Sequence, residues 1–409
     1  MAFHYRNGVL CVEQVPLDEL GARFGTPCYV YSSAAIETAY VQFEQALAGR
    51  DAMVCYSVKA NSNLAVLALL ARLGAGFDIV SGGELARVQA AGGAAGKTLF
   101  SGVGKSAAEI ELALRQGIGC INLESEPELE RVDRIARSLG LRAPVAFRVN
   151  PDIDARTHPY ISTGLRENKF GVPHEDAERL YARAAGMAGI EIVGIGCHIG
   201  SLLADPAPFV AAAGRLGALV ERLQSAGIEL RHVDVGGGIG IRYRDESPQP
   251  IAAFVSGALA ALGGCKARVV FDPGRSIVGN AGVLLTRVEY VKQRFLVVDA
   301  GMNDLIRPPL YGAWHEVRPV RESHAPGAVY DIVGPVCESA DFLAKERRLA
   351  AGEGDLLAVM SAGAYGMAMS SNYNSRPRAA EVLVAGGEAH LVRRRESVEE
   401  LFALERIPA

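Results

Sequence analysis

The stretch Gly76-Phe77-Asp78-Ile79-Val80-Ser81-Gly82-Gly83-Glu84 opens a pattern that the chain then repeats. An apolar run ends, Ser81-x-x-Glu84 marks a helix start, and Gly92 falls where that helix should stop. The same order returns as residues 98–100, Ser106-x-x-Glu109 and Gly117, and again as residues 120–123, Ser125-x-x-Glu128 and Gly140. In such a capping box the serine accepts from the amide three residues on, while the glutamate reaches back to the cap amide. Glycine then supplies the left-handed residue that ends the helix. Strand, capped helix, glycine, strand: the order predicts a parallel sheet with helical crossovers.

Working outward, apolar strand-like runs occur at residues 53–58, 76–80, 98–100, 120–123, 145–149, 192–198, 232–235 and 269–271. Eight such strands separated by helices close a barrel. The expectation is an α/β fold, a (βα)8 TIM-type barrel over residues 30–280. The texture then changes. Runs at 283–291, 295–298, 330–333, 356–361 and 380–384 mostly lack long helices between them, and Ala385-Gly386-Gly387-Glu388 reads as a hairpin turn. Residues 281–409 therefore predict a C-terminal β-rich domain, completed by the strand-like N-terminal segment, residues 1–29.

Composition sets outer bounds. The 409 residues are too many for one ordinary core, and 49% hydrophobic with 22% charged residues is a globular composition. A net charge of −4 offers no broad basic face, so neither nucleic acid nor a membrane surface is an expected partner. The opening residues carry no apolar signal core, and no apolar run is long enough to span a bilayer. The seven cysteines form no C-x-x-C pair, which predicts reduced, mostly buried thiols, no metal site and a cytoplasmic location.

Several polar residues stand at or near the ends of the apolar runs, where barrels place their chemistry. Lys59 follows 53–58; alone it reads as a surface lysine, but an amine held there can form a Schiff base. His198 offers a flat imidazole, or a hydrogen-bonded core residue. Gly236-Gly237-Gly238-Ile239-Gly240 is either an anion cradle or a structural turn; Ile241 replaces the glycine a dinucleotide site requires. Asp272-Pro273-Gly274-Arg275 is either an ordinary turn or a carboxylate facing a pyridine nitrogen, with an amide and a guanidinium beside it. Arg148 inside an apolar run needs a partner, either Asp78 or a cofactor oxygen. In the β-rich half, Arg307 and Tyr311 lie four apart, Cys337 precedes Glu338, and Tyr365 stands in a Gly-Ala-Tyr-Gly loop. Amine, imidazole, anion cradle and carboxylate together are the parts that hold pyridoxal phosphate.

The segments Tyr56-Ser57-Val58-Lys59-Ala60-Asn61, Phe77-Asp78-Ile79-Val80-Ser81-Gly82-Gly83-Glu84, His158-Pro159-Tyr160-Ile161-Ser162-Thr163-Gly164, Asn168-Lys169-Phe170-Gly171, His198-Ile199-Gly200-Ser201, Met302-Asn303-Asp304 and Met369-Ser370-Ser371-Asn372-Tyr373-Asn374 carry a resemblance over essentially the whole chain. The chain resembles the diaminopimelate decarboxylases, within the alanine-racemase-like class of pyridoxal-phosphate enzymes. The resemblance implies Lys59 as the Schiff-base lysine, His198 stacked on the ring and Asp272 at the pyridine nitrogen. It implies Gly238, Gly274 and Tyr365 at the phosphate, and Arg275, Arg307 and Tyr311 at a substrate carboxylate. Asp78, Arg148, Ser201 and Gly237 are expected around the same cofactor, and Glu338 and Tyr365 at the substrate. Cys337, an expected proton donor, would enter a neighbouring subunit's site with Glu338, which makes a homodimer with shared sites the expected assembly. The implied reaction takes the carboxylate from the D-centre of meso-diaminopimelate to give L-lysine and carbon dioxide. Three positions depart from the family pattern: Asp272 stands for Glu, Leu202 for Gln and Ala340 for Gly.

Competing readings differ in chemistry. A decarboxylase of ornithine, arginine or lysine would have no distal carboxylate for Arg307. A racemase would place a cation where Asp272 stands, and a non-catalytic cofactor-binding homologue would have lost Lys59 or Cys337.

Overall fold

The computed structural model describes residues 2–153 and 169–408. The motif residues His158 to Gly164 and Asn168 lie outside the described residues. The chain forms two compact units, one of Ala39–Ile241 with Ser247–Ser276, the other of Met1–Thr38, Arg242–Glu246 and Ile277–Ala409.

The first unit is a closed barrel of eight parallel strands: Ala52–Ser57, Gly76–Ile79, Thr98–Phe100, Cys120–Leu123, Ala143–Asn150, Ile190–Gly196, His232–Asp234 and Arg268–Phe271. Closure comes from the last strand pairing with the first, Val270 opposite Met53 and Phe271 opposite Val54. A ninth, two-residue strand, Val172–Pro173, adds to the edge of Ala143–Asn150. These strands match the eight apolar runs to within two residues at either end. Inside the barrel, Cys55, Leu99, Cys120, Ala146, Val193 and Val270 form a buried cluster. Burial pushes the Cys55 and Cys120 thiols well up, so both act as small apolar fillers.

The serine half of each predicted cap holds, while the glutamate half holds in one and diverges in two. Ser81, Ser106 and Ser125 each accept from the amide of the glutamate three residues on. Glu109 alone completes the box, accepting from Ser106 N at 3.0 Å. Glu84 and Glu128 reach one residue further back, to the amides of Val80 at 2.7 Å and Glu124 at 2.8 Å. Both carboxylates thus tie the strand end to its helix. Gly92, Gly117 and Gly140 follow the last helical turns at φ of 83°, 69° and 65°, the left-handed stop the sequence predicts.

A buried lysine braces two of these loops. Lys105 is 4% exposed; its Nζ meets Glu128 Oε1 at 2.9 Å and donates to the carbonyls of Gly102 and Asn122.

The second unit is built on a sheet of nine strands. Its path runs Phe342–Leu349, Ala328–Val333, Phe295–Val298, Gly282–Lys292, Cys28–Ser32, Ala380–Ala385 and Glu388–Arg393. Leu356–Val359 joins Gly282–Lys292 and carries Val317–Pro319 on its other side. The N-terminal segment completes this sheet: Cys28–Ser32 lies antiparallel to Gly282–Lys292 and parallel to Ala380–Ala385. Sequence reading missed Phe342–Leu349, whose Lys345-Glu346-Arg347-Arg348 run looks like a solvated loop. It is a strand because Leu343, Ala344 and Leu349 go inward while it pairs with Ala328–Val333.

Removing one member of a buried ion pair strands the other without water. Lys105→Met is expected to destabilise the protein by about 3–5 kcal/mol in urea unfolding, and Lys105→Met with Glu128→Leu by clearly less.

Candidate active site

Each of the eight barrel strands delivers a polar group at its carboxyl end. Lys59 lies in the short turn Val58–Ala60 directly after the first strand. Its Nζ is 3.3 Å from Asp78 Oδ2 on the second strand; Asp78 is 1% exposed and the lysine side chain 36%. Ser101, just past the third strand, donates to Asp78 Oδ1 at 2.5 Å, and Ser57 donates to Oδ2 at 3.2 Å. Asn122 on the fourth strand donates to Ser101 Oγ at 3.0 Å. Asp78 is therefore held in place from three sides, with the amine at its solvent edge.

Arg148 on the fifth strand does not pair with Asp78, one of the two partners expected from the sequence. Its Nη1 meets Glu124 Oε1 at 3.4 Å, its Nη2 donates to the His198 carbonyl at 3.3 Å, and its guanidinium lies over the Phe170 ring. Asp78 is already saturated, whereas Glu124 is buried directly after the neighbouring strand. Glu124 also accepts from the amides of Gly102 at 3.1 Å and Gly171 at 2.8 Å, so one carboxylate gathers three loops.

His198 follows the sixth strand, with Nδ1 3.5 Å from Asp272 Oδ1 and 3.4 Å from the Gly237 amide. Asp272 follows the eighth strand and is 7% exposed. Its Oδ1 is buried and makes no hydrogen bond. Asp234, ending the seventh strand, is buried beside it and accepts from the Gly236 amide at 2.9 Å. Burial first, and the neighbouring Asp272 carboxylate second, push Asp234 well above the usual aspartate value of 3.8. Asp234 is thereby biased toward its neutral acid form. Lys59, Asp78, Arg148, His198 and Asp272 line one pocket with Ser101, Asn122 and Asp234.

The glycines are close-packed. A side chain at Gly238, where φ is 88°, would start 2.0 Å from the Gly200 carbonyl oxygen, and one at Gly274 would press on Ser57 and Ala60. At Gly237 it would strike Asp272. Arg275 Nε and Nη2 donate to Ser201 Oγ at 3.3 and 3.2 Å, which brings those two predicted residues together.

The remaining predicted residues belong to the β-rich unit. Arg307 heads the short helix Arg307–Tyr311 and is 3% exposed. Tyr365 is half-buried with φ of 55°, an uncommon setting for a bulky side chain. Cys337 and Glu338 are exposed, and the Cys337 amide donates to Asn374 Oδ1 at 2.8 Å.

Ser101, Asn122, Glu124 and Asp234 were not singled out from sequence. The rule that exposed Lys59 also points to them, since each ends or follows an apolar run.

A family model described as "Pyridoxal-dependent decarboxylase, pyridoxal binding domain" matches residues 33–279. The diaminopimelate decarboxylase of Pseudomonas aeruginosa is 58% identical over 405 residues, covering 98% of each chain. The chain belongs to the diaminopimelate decarboxylase family. Crystal structures of diaminopimelate decarboxylases complexed with L-lysine align closely. That from Helicobacter pylori is 44% identical with a TM-score of 0.93, covering 95% of this chain and 99% of that one. That from M. jannaschii is 35% identical with a TM-score of 0.95, covering 100% and 98%.

Departures from the diaminopimelate decarboxylase pattern differ in backbone setting. Leu202 adopts φ of 65°, the left-handed region, at a cost of about 1–2 kcal/mol that a glutamine there would share. Ala340 is not among the residues with positive φ, so it takes the place of glycine without that strain. Among the described residues no helix is long and apolar enough to cross a membrane.

Because Asp234 holds its proton to higher pH in the folded chain than in the unfolded one, its contribution to stability falls as pH rises above about 4, the unfolded aspartate value. Asp234→Asn mimics the neutral acid. Its unfolding free energy relative to wild type is expected to rise with pH above about 4, by at most about 1.4 kcal/mol per pH unit. Urea titrations at pH 5, 7 and 8.5 measure this; a difference independent of pH would contradict a raised Asp234 pKa.

Proposed function

We propose that this chain decarboxylates meso-diaminopimelate to L-lysine and carbon dioxide, using pyridoxal phosphate attached to Lys59. The observation that carries the cofactor assignment is the buried Asp272 Oδ1, an acceptor with no hydrogen bond in the pocket that Lys59 also lines. A pyridine N–H is the donor such an oxygen lacks. The relatives' shared name and the lysine in two of their structures support the reaction.

When bound, the cofactor supplies a cationic ring that accepts the electron pair left by the departing carboxylate. The rest falls to side chains. Lys59 Nζ would hold the cofactor, with Asp78 fixing the nitrogen's position. Asp272 would face the ring nitrogen, with Asp234, pushed toward its neutral form, buried beside it. His198 would lie against the ring, and Arg148 holds the His198 backbone. Ser201, Arg275, the amides of Gly237, Gly238 and Gly274, and Tyr365 bind phosphate. Arg307 and Tyr311, with Arg275, take the distal carboxylate, which orients the bond to be broken. Cys337 returns the proton, with Glu338 beside it, and a homodimer with shared sites lets the exposed Cys337 and Glu338 serve a neighbouring subunit.

Arg307 separates this reading from decarboxylation of ornithine, arginine or lysine. Purified protein with pyridoxal phosphate should release lysine and carbon dioxide in equal amounts from meso-diaminopimelate, with ornithine and lysine turned over far more slowly. Lys59→Ala is expected to lose the visible cofactor absorbance and about a hundredfold or more of kcat. Undiminished absorbance in that variant would remove Lys59 from its role.

Shared sites make a separate prediction. Mixing inactive Lys59→Ala and Cys337→Ala subunits should restore up to about a quarter of wild-type activity, since a mixed dimer holds one intact site. Mixtures that exchange subunits yet stay inactive would place Cys337 in its own subunit's site.

A further inference from the structure

Arg307 carries a permanent charge while almost wholly buried, and an imidazole stands against it. Its Nη1 donates to His315 Nε2 at 2.9 Å, and His315 Nδ1 lies 2.8 Å from the Met360 carbonyl oxygen. A carbonyl oxygen only accepts, so Nδ1 bears the proton and Nε2 keeps the lone pair that Arg307 uses. His315 is 0% exposed. Tyr243 closes the arrangement: its ring centroid is 4.6 Å from Arg307 Cζ, and it meets the imidazole at 5.2 Å and 81°. All four residues belong to the β-rich unit.

The choice of an imidazole has a chemical consequence. A carboxylate in its place would hold Arg307 equally well but would cancel the charge and compete with any anionic ligand. An imidazole acceptor holds one guanidinium nitrogen in place without itself adding a negative charge. It also restrains a side chain that otherwise carries large rotamer freedom.

We propose that His315 is a positioning residue for Arg307: a neutral imidazole, held in one tautomer by the Met360 carbonyl, that aims the guanidinium at the distal carboxylate of the substrate and so sets the preference for a substrate that has one. This rests on the reading of Arg307 as the residue that binds that carboxylate.

Two variants separate the two bonds. His315→Asn can still donate to Met360 from the place of Nδ1 but has nothing at Nε2. His315→Gln brings a carbonyl oxygen toward Nε2. Steady-state kinetics with meso-diaminopimelate should show KM raised about tenfold to a hundredfold in His315→Asn, with kcat within about threefold of wild type. His315→Gln should stay within about fivefold of the wild-type KM. Arg307→Met alone and combined with His315→Asn should give the same KM, because the histidine acts through the arginine. An unchanged KM in Arg307→Met removes the carboxylate-binding reading itself. A raised KM there, with His315→Asn unmoved or its effect adding in full to Arg307→Met, overturns the positioning role alone. If His315→Asn does not fold, His315→Glu decides. It keeps an acceptor and adds a charge, so KM should rise about tenfold, and a wild-type KM would overturn the proposal.

Discussion

Charge withdrawn from water is the constraint around which the barrel mouth is arranged. Asp78, Asp234 and Asp272 line one pocket, each nearly inaccessible, and three bare anions there would repel one another at short range in a poor dielectric. The three are handled differently. Asp78 is saturated by Lys59, Ser57 and Ser101. Burial and the Asp272 carboxylate push Asp234 toward its neutral form. Asp272 retains a buried oxygen with no hydrogen bond, near the imidazole of His198.

Around this centre the loops are joined by a second set of carboxylates. Glu124 gathers the amides of Gly102 and Gly171 and the guanidinium of Arg148, which in turn holds the His198 carbonyl. Glu128 links the Glu124 amide to the buried Lys105. These groups touch the pocket only through others, yet they decide where Arg148 and His198 are found. Catalytic geometry needs that kind of support, because small displacements of reacting groups are costly.

In the β-rich unit, Arg307 donates to the buried His315 ring. Asp341 accepts from Met302 and Val336, which ties the loop carrying Cys337 and Glu338 to the loop after Phe295–Val298. Cys337 itself stays exposed.

The sequence by itself determined the barrel, its strand count and the helix stops, because those follow from local periodicity, caps and glycine placement. It also marked Lys59, His198, Asp272 and the glycine loop, since a polar residue at the end of an apolar run is visible in one dimension. It did not determine partners. Arg148 goes to Glu124 because Asp78 is already taken, a competition between strands that are distant in the chain. Glu84 and Glu128 bypass their cap amides for the strand ends, and the charged strand Phe342–Leu349 forms because a neighbouring strand offers it a ladder. His315 meets Arg307 only after the turn following Tyr311 folds back. Which buried charge finds which counter-group is set by distances that close only when the strands are side by side, and that was left to the tertiary structure.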